Sequence, residues 1–385
     1  MFHSKFVTLK KTIVSLSLLA ATTPVMASTY VYVSNQNDAT ISAYELKTSE
    51  DPGLIPIQQA PAAKLVMPMA ASDDGRFLYA AMRAKPFALY TYRIDPKTGL
   101  LSLLDKIPMP DSMVSISLDR TGKWLLGASY GGNTISVHRL TAAGTPEKTA
   151  RQFYKSGGIN PHSIKADYSN NTVYVPHLGT DEIRSYTFDA SNDKPIATTS
   201  SSLKTKKGFG PRHLAIAPTN AFIYILSELT GYVNVYSHAK NGKLSEIQSI
   251  SSLPLNNNLV PGQPRVPVGT PGALPFDESK AIWSADIQMT PNGRFLYTSE
   301  RTLGTLSQFA VDTNTGKLKL LGQIPTEKGP RGFAIDPTGK FVVVSGEKSP
   351  TISLYSIDQK SGLLTYINKY PVGKGANWVT IVKVN

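Results

Sequence analysis

His162, Arg212, Glu228 and Arg301 are the residue types that, brought together, move a proton and hold developing negative charge: an imidazole that titrates near neutrality, two permanent guanidinium cations and a carboxylate. They stand 50, 16 and 73 residues apart, so no local motif joins them. Arg212 is the most telling. It sits in GFGPRHLAIAP (208–218), between a Gly/Pro turn and an apolar run that reads as a strand, where a solvated loop would be the ordinary place for an Arg-His pair.

The elements that must position these residues are repeats. Turn residues followed by an aromatic or β-branched residue and apolar alternation recur in SDDGRFLYAAMR, LDRTGKWLLGASY, DYSNNTVYVPHL, PTNAFIYILSEL, TPNGRFLYTSER and DPTGKFVVVSGEK, and STYVYVSN fits without its turn. Anchoring on the first strand residue gives Thr29, Phe77, Trp124, Thr172, Phe222, Phe295 and Phe341, at intervals of 48, 47, 48, 50, 73 and 46. A second strand follows each anchor, as in TISAYEL, ALYTYRI and TISVHRL. Period-2 alternation broken by Gly, Asn and Asp turns predicts consecutive antiparallel hairpins. Length alone would suggest two or three domains. Seven units of about four strands instead predict one all-β domain, a seven-bladed β-propeller of four-stranded antiparallel blades spanning 28–385. ANWVTIVKVN has the form of an innermost strand with no anchor after it, and STYVYVSN is an anchor with no innermost strand before it. Pairing the two would close the ring.

In this template each innermost strand starts about ten residues before its anchor and runs antiparallel to it, so its start and the anchor strand's end lie at the same end of the blade. The starts are Met67, Val114, His162, Arg212, Ala285 with Asp286, and Arg331. The ends are Asn35, Arg83, Tyr130, Leu178, Glu228, Arg301 and Glu347. His162, Arg212, Asp286, Arg331, Arg83, Glu228 and Arg301 are thereby predicted around one mouth of the central channel. One such residue is more often half of a surface ion pair than part of a site. Several cations in one concavity argue instead for an anionic ligand or transition state. His213 is expected, by strand alternation, to point away from Arg212 toward the neighbouring blade as structural support. His162, His177 and His213 raise a metal alternative, but their spacing fits no ligand pair, and no metal or other cofactor is expected.

Composition narrows the class. Lys5, Lys10 and Lys11 precede an apolar run from Thr12 to Ala21, and Val25-Met26-Ala27 offers a cleavage site, so residues 1–27 read as a secretory signal peptide cut near Ala27. A bacterial host would place the mature chain in the periplasm. No later stretch reaches the ~20 apolar residues of a membrane helix. With no cysteine among 385 residues, thiol catalysis, Cys-zinc sites and disulfides are excluded. The net charge is +13, and removing the leader's three lysines leaves +10. The basic residues are dispersed and no helix-turn-helix or zinc-finger spacing occurs, which argues against nucleic acid. No obligate protein partner is evident.

NPHS (160–163), GPRH (210–213), SEL (227–229), WSAD (283–286), SER (299–301) and GPRGF (329–333) resemble motifs of the seven-bladed propeller lactonases, which include propeller-type 6-phosphogluconolactonases and fungal carboxy-cis,cis-muconate lactonizing enzymes. The resemblance covers essentially the whole mature chain. It implies functional residues at His162, Arg212, Glu228 and Arg301, all on positions the template selects; the same template positions make Arg83, Tyr130, Asp286 and Arg331 the expected substrate-binding neighbours. It implies lactone opening without a metal: His162 as general base, or Glu228 sharing that role, and Arg212 and Arg301 for the oxyanion. Family membership leaves the substrate open. A periplasmic protein would meet glucono-1,5-lactone, the cytoplasmic relatives' 6-phosphate is the alternative, and muconate cycloisomerisation or non-catalytic binding remain further readings. The Pro-rich insertion 256–278 breaks the repeat and reads equally as a rim excursion or a flap over the mouth.

Overall fold

The structure is a computed structural model and describes residues 1–4, 28–265 and 276–384. The expected leader, apart from its first four residues, and ten residues of the Pro-rich insertion lie outside that range.

Seven four-stranded antiparallel sheets form a ring. The anchor strands, such as Phe77–Met82, Trp124–Ser129, Phe295–Glu300 and Phe341–Gly346, are buried along their whole length. Each is covered on both faces by adjacent blades, which is why apolar residues fill both of its faces over most of its length. The outermost strands, such as Leu101–Pro108 and Leu364–Pro371, are mostly exposed, with buried residues only here and there. Mixed apolar clusters lie between blades: Tyr30, Tyr32 and Val382 of the first blade pack with Leu78, Ala80 and Tyr92 of the second. Ring closure is as expected. Ser28–Asn35 pairs antiparallel with Ala376–Val384, from Ser28 opposite Val384 to Asn35 opposite Ala376.

Two departures from the template affect the site. Five innermost strands carry a register shift at their entry, between Val66/Met69, Pro211/Leu214, Ser284/Ile287, Pro330/Gly332 and, in the first blade, Ala376/Trp378. A bulge places two residues where one is expected and re-aims their side chains. The fourth blade's innermost strand is only Lys165–Ala166. His162 therefore lies in the lead-in rather than on the strand, fixed by its N–H donating to Pro176 O (2.9 Å) and by a bridge between Pro161 and His177. Among the described residues no helix is long and apolar enough to cross a membrane.

Candidate active site

One mouth of the channel opens as a cavity of about 460 Å³, within the usual range for small-molecule sites. His162, Arg212, Glu228 and Arg301 all line it, as do Arg83, Tyr130 and Arg331. They come from the ends of six blades, so only ring closure brings them together. Gln263 and Arg265, at the start of the Pro-rich insertion, complete the wall. That segment is docked on the rim by Gly262 N–H to Leu229 O (2.8 Å) and by the pairing of Val260 with Ala281.

Glu228 is the hub. Its Oε2 accepts from Arg212 Nε at 3.2 Å, and its Oε1 accepts from Arg301 Nη2. Burial alone would raise the carboxyl, but Arg301, Arg212 and Arg265 overcome it and hold the group down to about 2. Arg301 is steadied by Nε donating to Trp283 O (2.9 Å). Arg212 is fully buried, and burial draws its guanidinium down to about 9 against the pull of Glu228, so it stays charged at neutral pH. Among the described residues its buried Nη2 has no hydrogen-bond partner.

His162 is 5% exposed, with Nε2 at 3.6 Å from Glu228 Oε2 and, among the described residues, no partner for Nδ1. Its ring meets those of Tyr130 and His213 edge-on, each with centroids 5.4 Å apart. Burial, and after it the charge of Arg212, depress its pKa well below the ordinary histidine value. The imidazole is therefore neutral at pH 7. Burial and the Glu228 charge push the Tyr130 phenol up to about 12, keeping it a neutral hydroxyl.

Five arginines line the cavity against two glutamates. Arg331 Nε is 3.4 Å from Glu347 Oε1. Arg83 reaches only Ser112 Oγ (3.1 Å) and Met67 Sδ (3.3 Å), and Arg265 lies over the Trp283 ring at 4.6 Å. Neither has a carboxylate within salt-bridge reach among the described residues, so the cavity carries net positive charge.

The seven-bladed β-propeller lactonase model matches residues 24–381. The chain belongs to this lactonase family. A 6-phosphogluconolactonase of Serratia proteamaculans is 36% identical over 307 residues, 80% of this chain and 84% of that protein. A 6-phosphogluconolactonase of Xenorhabdus nematophila is 37% identical over 306 residues with the same coverage. The solved periplasmic gluconolactonase of Pseudomonas aeruginosa shares the fold, with a TM-score of 0.78 and 22% identity, covering 93% of this chain and 99% of that one.

Two expectations for this lactonase-family chain need correction. Asp286 does not line the cavity: the bulge between Ser284 and Ile287 turns its side chain into the blade interface, where it binds His213 Nδ1 (2.8 Å), and Trp283 takes the place on the wall. His213 does contact the neighbouring blade, but it does not point away from Arg212. The Pro211/Leu214 bulge sets the two side chains together, Arg212 Nη1 donating to His213 Nε2 at 2.9 Å. His177 is buried elsewhere, bonded to Val175 O and Ser156 Oγ, both at 2.8 Å. Among the described residues no group of three or more His, Cys, Asp or Glu is placed to hold a metal ion. Sequence reasoning missed Gln36, Leu65 and Gln263 as wall residues. Only Trp283 had a signal, the WSAD motif, in which attention fell on the aspartate.

Proposed function

We propose that the protein hydrolyses a sugar lactone in this cavity, with an aldonolactone such as glucono-1,5-lactone as substrate. The supporting observation is the convergence of a neutral buried imidazole with the Arg212–Glu228–Arg301 clamp. His162 removes a proton from water as its oxygen attacks the lactone carbonyl carbon, and the C=O electrons move onto the oxygen, stabilised by Arg212 Nη2 and Arg301. Collapse breaks the ring C–O bond, and the imidazolium returns its proton to the departing ring oxygen, leaving the aldonic acid. Glu228, clamped between two guanidiniums and held ionised far below neutrality, is a poor proton acceptor and serves to orient the arginines. That leaves His162 as the base.

A specific observation favours a second form of the substrate. Arg83 and Arg265 are cavity cations without carboxylate partners among the described residues, and a phosphate would supply their counter-charge. The relatives named 6-phosphogluconolactonase point the same way, whereas the leader-like residues 1–27 favour the unphosphorylated compound of the periplasm. Base consumption at constant pH on purified protein, with glucono-1,5-lactone and its 6-phosphate in parallel, tests both. Hydrolysis of either above the buffer rate, lost in His162→Ala, supports the lactonase reading, and the ratio of kcat/KM selects the form. Buffer-rate hydrolysis of both overturns it. Cell fractionation with the native leader tests export.

A further inference from the structure

Asp286 and His213 are buried beside the cavity, outside its wall, and the mechanism above uses neither. Every partner of the Asp286 carboxylate is a donor: His213 Nδ1 (2.8 Å) and Ile287 N–H (2.9 Å) reach Oδ1, and Gln288 Nε2 (3.1 Å) and Phe333 N–H (3.4 Å) reach Oδ2. An ionised carboxylate only accepts, so His213 Nδ1 must carry the hydrogen. At the other end of the ring stands Arg212 Nη1, 2.9 Å from Nε2. A guanidinium only donates, so Nε2 must be bare. The two neighbours permit a single tautomer.

We propose that Asp286 acts through His213 as a positioning pair for Arg212: the carboxylate fixes the Nδ1–H tautomer, and the Nε2 lone pair holds Nη1 so that Nη2 points at the substrate's carbonyl oxygen. Glu228 grips only Nε of Arg212, which leaves the plane of the guanidinium to Nη1, held by His213 Nε2 and Ala285 O. The remaining nitrogen, Nη2, is the buried donor that has no partner among the described residues. This accounts for the contiguity of Arg212 and His213: the bulge at Pro211/Leu214 lets residue 213 support residue 212 from behind. Besides Arg212 and Asp286, the groups facing His213 are the rings of His162 (5.4 Å) and Trp378 (5.9 Å), with Arg331 adding positive charge. None of them offers Nε2 an acceptor for a second proton.

The proposal rests on the lactonase reading for its kinetic consequence, but the geometry is measurable without turnover. In ¹⁵N-labelled protein, His213, assigned by its absence in His213→Gln, should show the neutral Nδ1–H pattern throughout pH 6–8. The Arg212 guanidinium should give resolved signals of restricted rotation, broadened in His213→Phe and restored in His213→Gln, whose amide can donate to Asp286 and accept from Arg212. An Nε2–H tautomer, or Arg212 signals indifferent to His213→Phe, would overturn the proposal whether or not the protein hydrolyses lactones. In turnover, a misplacement of about 1 Å can cost ~100-fold. His213→Phe should therefore lower kcat about 10- to 100-fold with KM changed less than about threefold, and His213→Gln should recover most of the loss. In an Arg212→Lys background the same Phe replacement should cost less than about twofold. Full additivity of the two replacements would sink the idea.

Discussion

Burial decides the state of His162 before any substrate arrives. Its imidazole is walled by rings and faces Arg212 and Arg331, so protonation is opposed both by lost solvation and by like charge. The sign follows: if His162 is the base, kcat/KM should stay level as pH falls from 8 through about 6.5, the ordinary histidine range, and decline only at lower pH. A pH–rate profile of the free enzyme with an acid limb centred at 6.5 or above would contradict this environment. His162→Ala should reduce kcat by ~100- to 10,000-fold, the usual worth of a general base, with the fold intact by circular dichroism. Glu228→Gln should act differently. It leaves Arg212 and Arg301 buried without their counter-charge, a change that costs about 3–5 kcal/mol when a buried pair is broken. Its Tm should fall along with its activity. Glu228 itself, held at about 2, contributes stability that is full above the unfolded carboxylate value of ~4.3 and lost as pH falls toward 2.

A repeated contact joins successive blades. Tyr32, Tyr79, Tyr174 and Tyr297 on the anchor strands each donate a hydroxyl to the carbonyl of a turn glycine in the next blade, Gly99, Gly144, Gly242 and Gly362, at 2.7–2.9 Å. Gly99 has φ +69°, and a Cβ there would lie 2.3 Å from the Tyr30 ring. Tyr297→Phe should cost about 1–2 kcal/mol, the worth of a buried hydrogen bond whose acceptor is left unpaired. Gly99→Ala should cost more, because the backbone and the ring must both yield. Urea denaturation of the two variants against the parent checks the order. These contacts also show why the repeat was legible: each anchor strand must fit between two blades, so aromatic and β-branched residues return at a fixed place after each turn. The same regularity put His162, Arg212, Glu228, Arg301, Arg83, Tyr130 and Arg331 on one mouth. What stayed hidden depends on bulges. A one-residue insertion in a strand entry leaves no mark in the apolar pattern, so the directions of Asp286 and His213 could not be read, nor could the shortening of the fourth inner strand to Lys165–Ala166. Gln263 and Arg265 lie in the insertion, outside the repeat, where no periodic signal exists.

The whole molecule depends on its closure. A cavity walled from at least six blades keeps its geometry only if the ring cannot open, and the blades' break in chain continuity lies within the first, where Ser28–Asn35 and Ala376–Val384 pair over their full length. Residue 28 stands opposite residue 384 and the strands are antiparallel, so the first and last strands of the ring meet as an unjoined hairpin. Removing residues 376–385 would strip the innermost strand from the first blade and expose the edge of Ser28–Asn35. It would also break the contacts of this strand with the innermost strands of the second and seventh blades, leaving an unpaired hydrophobic edge that promotes association. That truncation should be insoluble or melt without cooperativity. Joining residue 384 to residue 28 by a short Gly-Ser turn, with new ends opened between Asn192 and Asp193 in the exposed outer turn of the fourth blade, keeps every strand pair. This permutant should melt cooperatively near the parent's Tm and retain its lactonase activity. The comparison isolates closure from chain connectivity: a permutant as disordered as the truncation would show that the pairing of the first and last strands does not hold the ring.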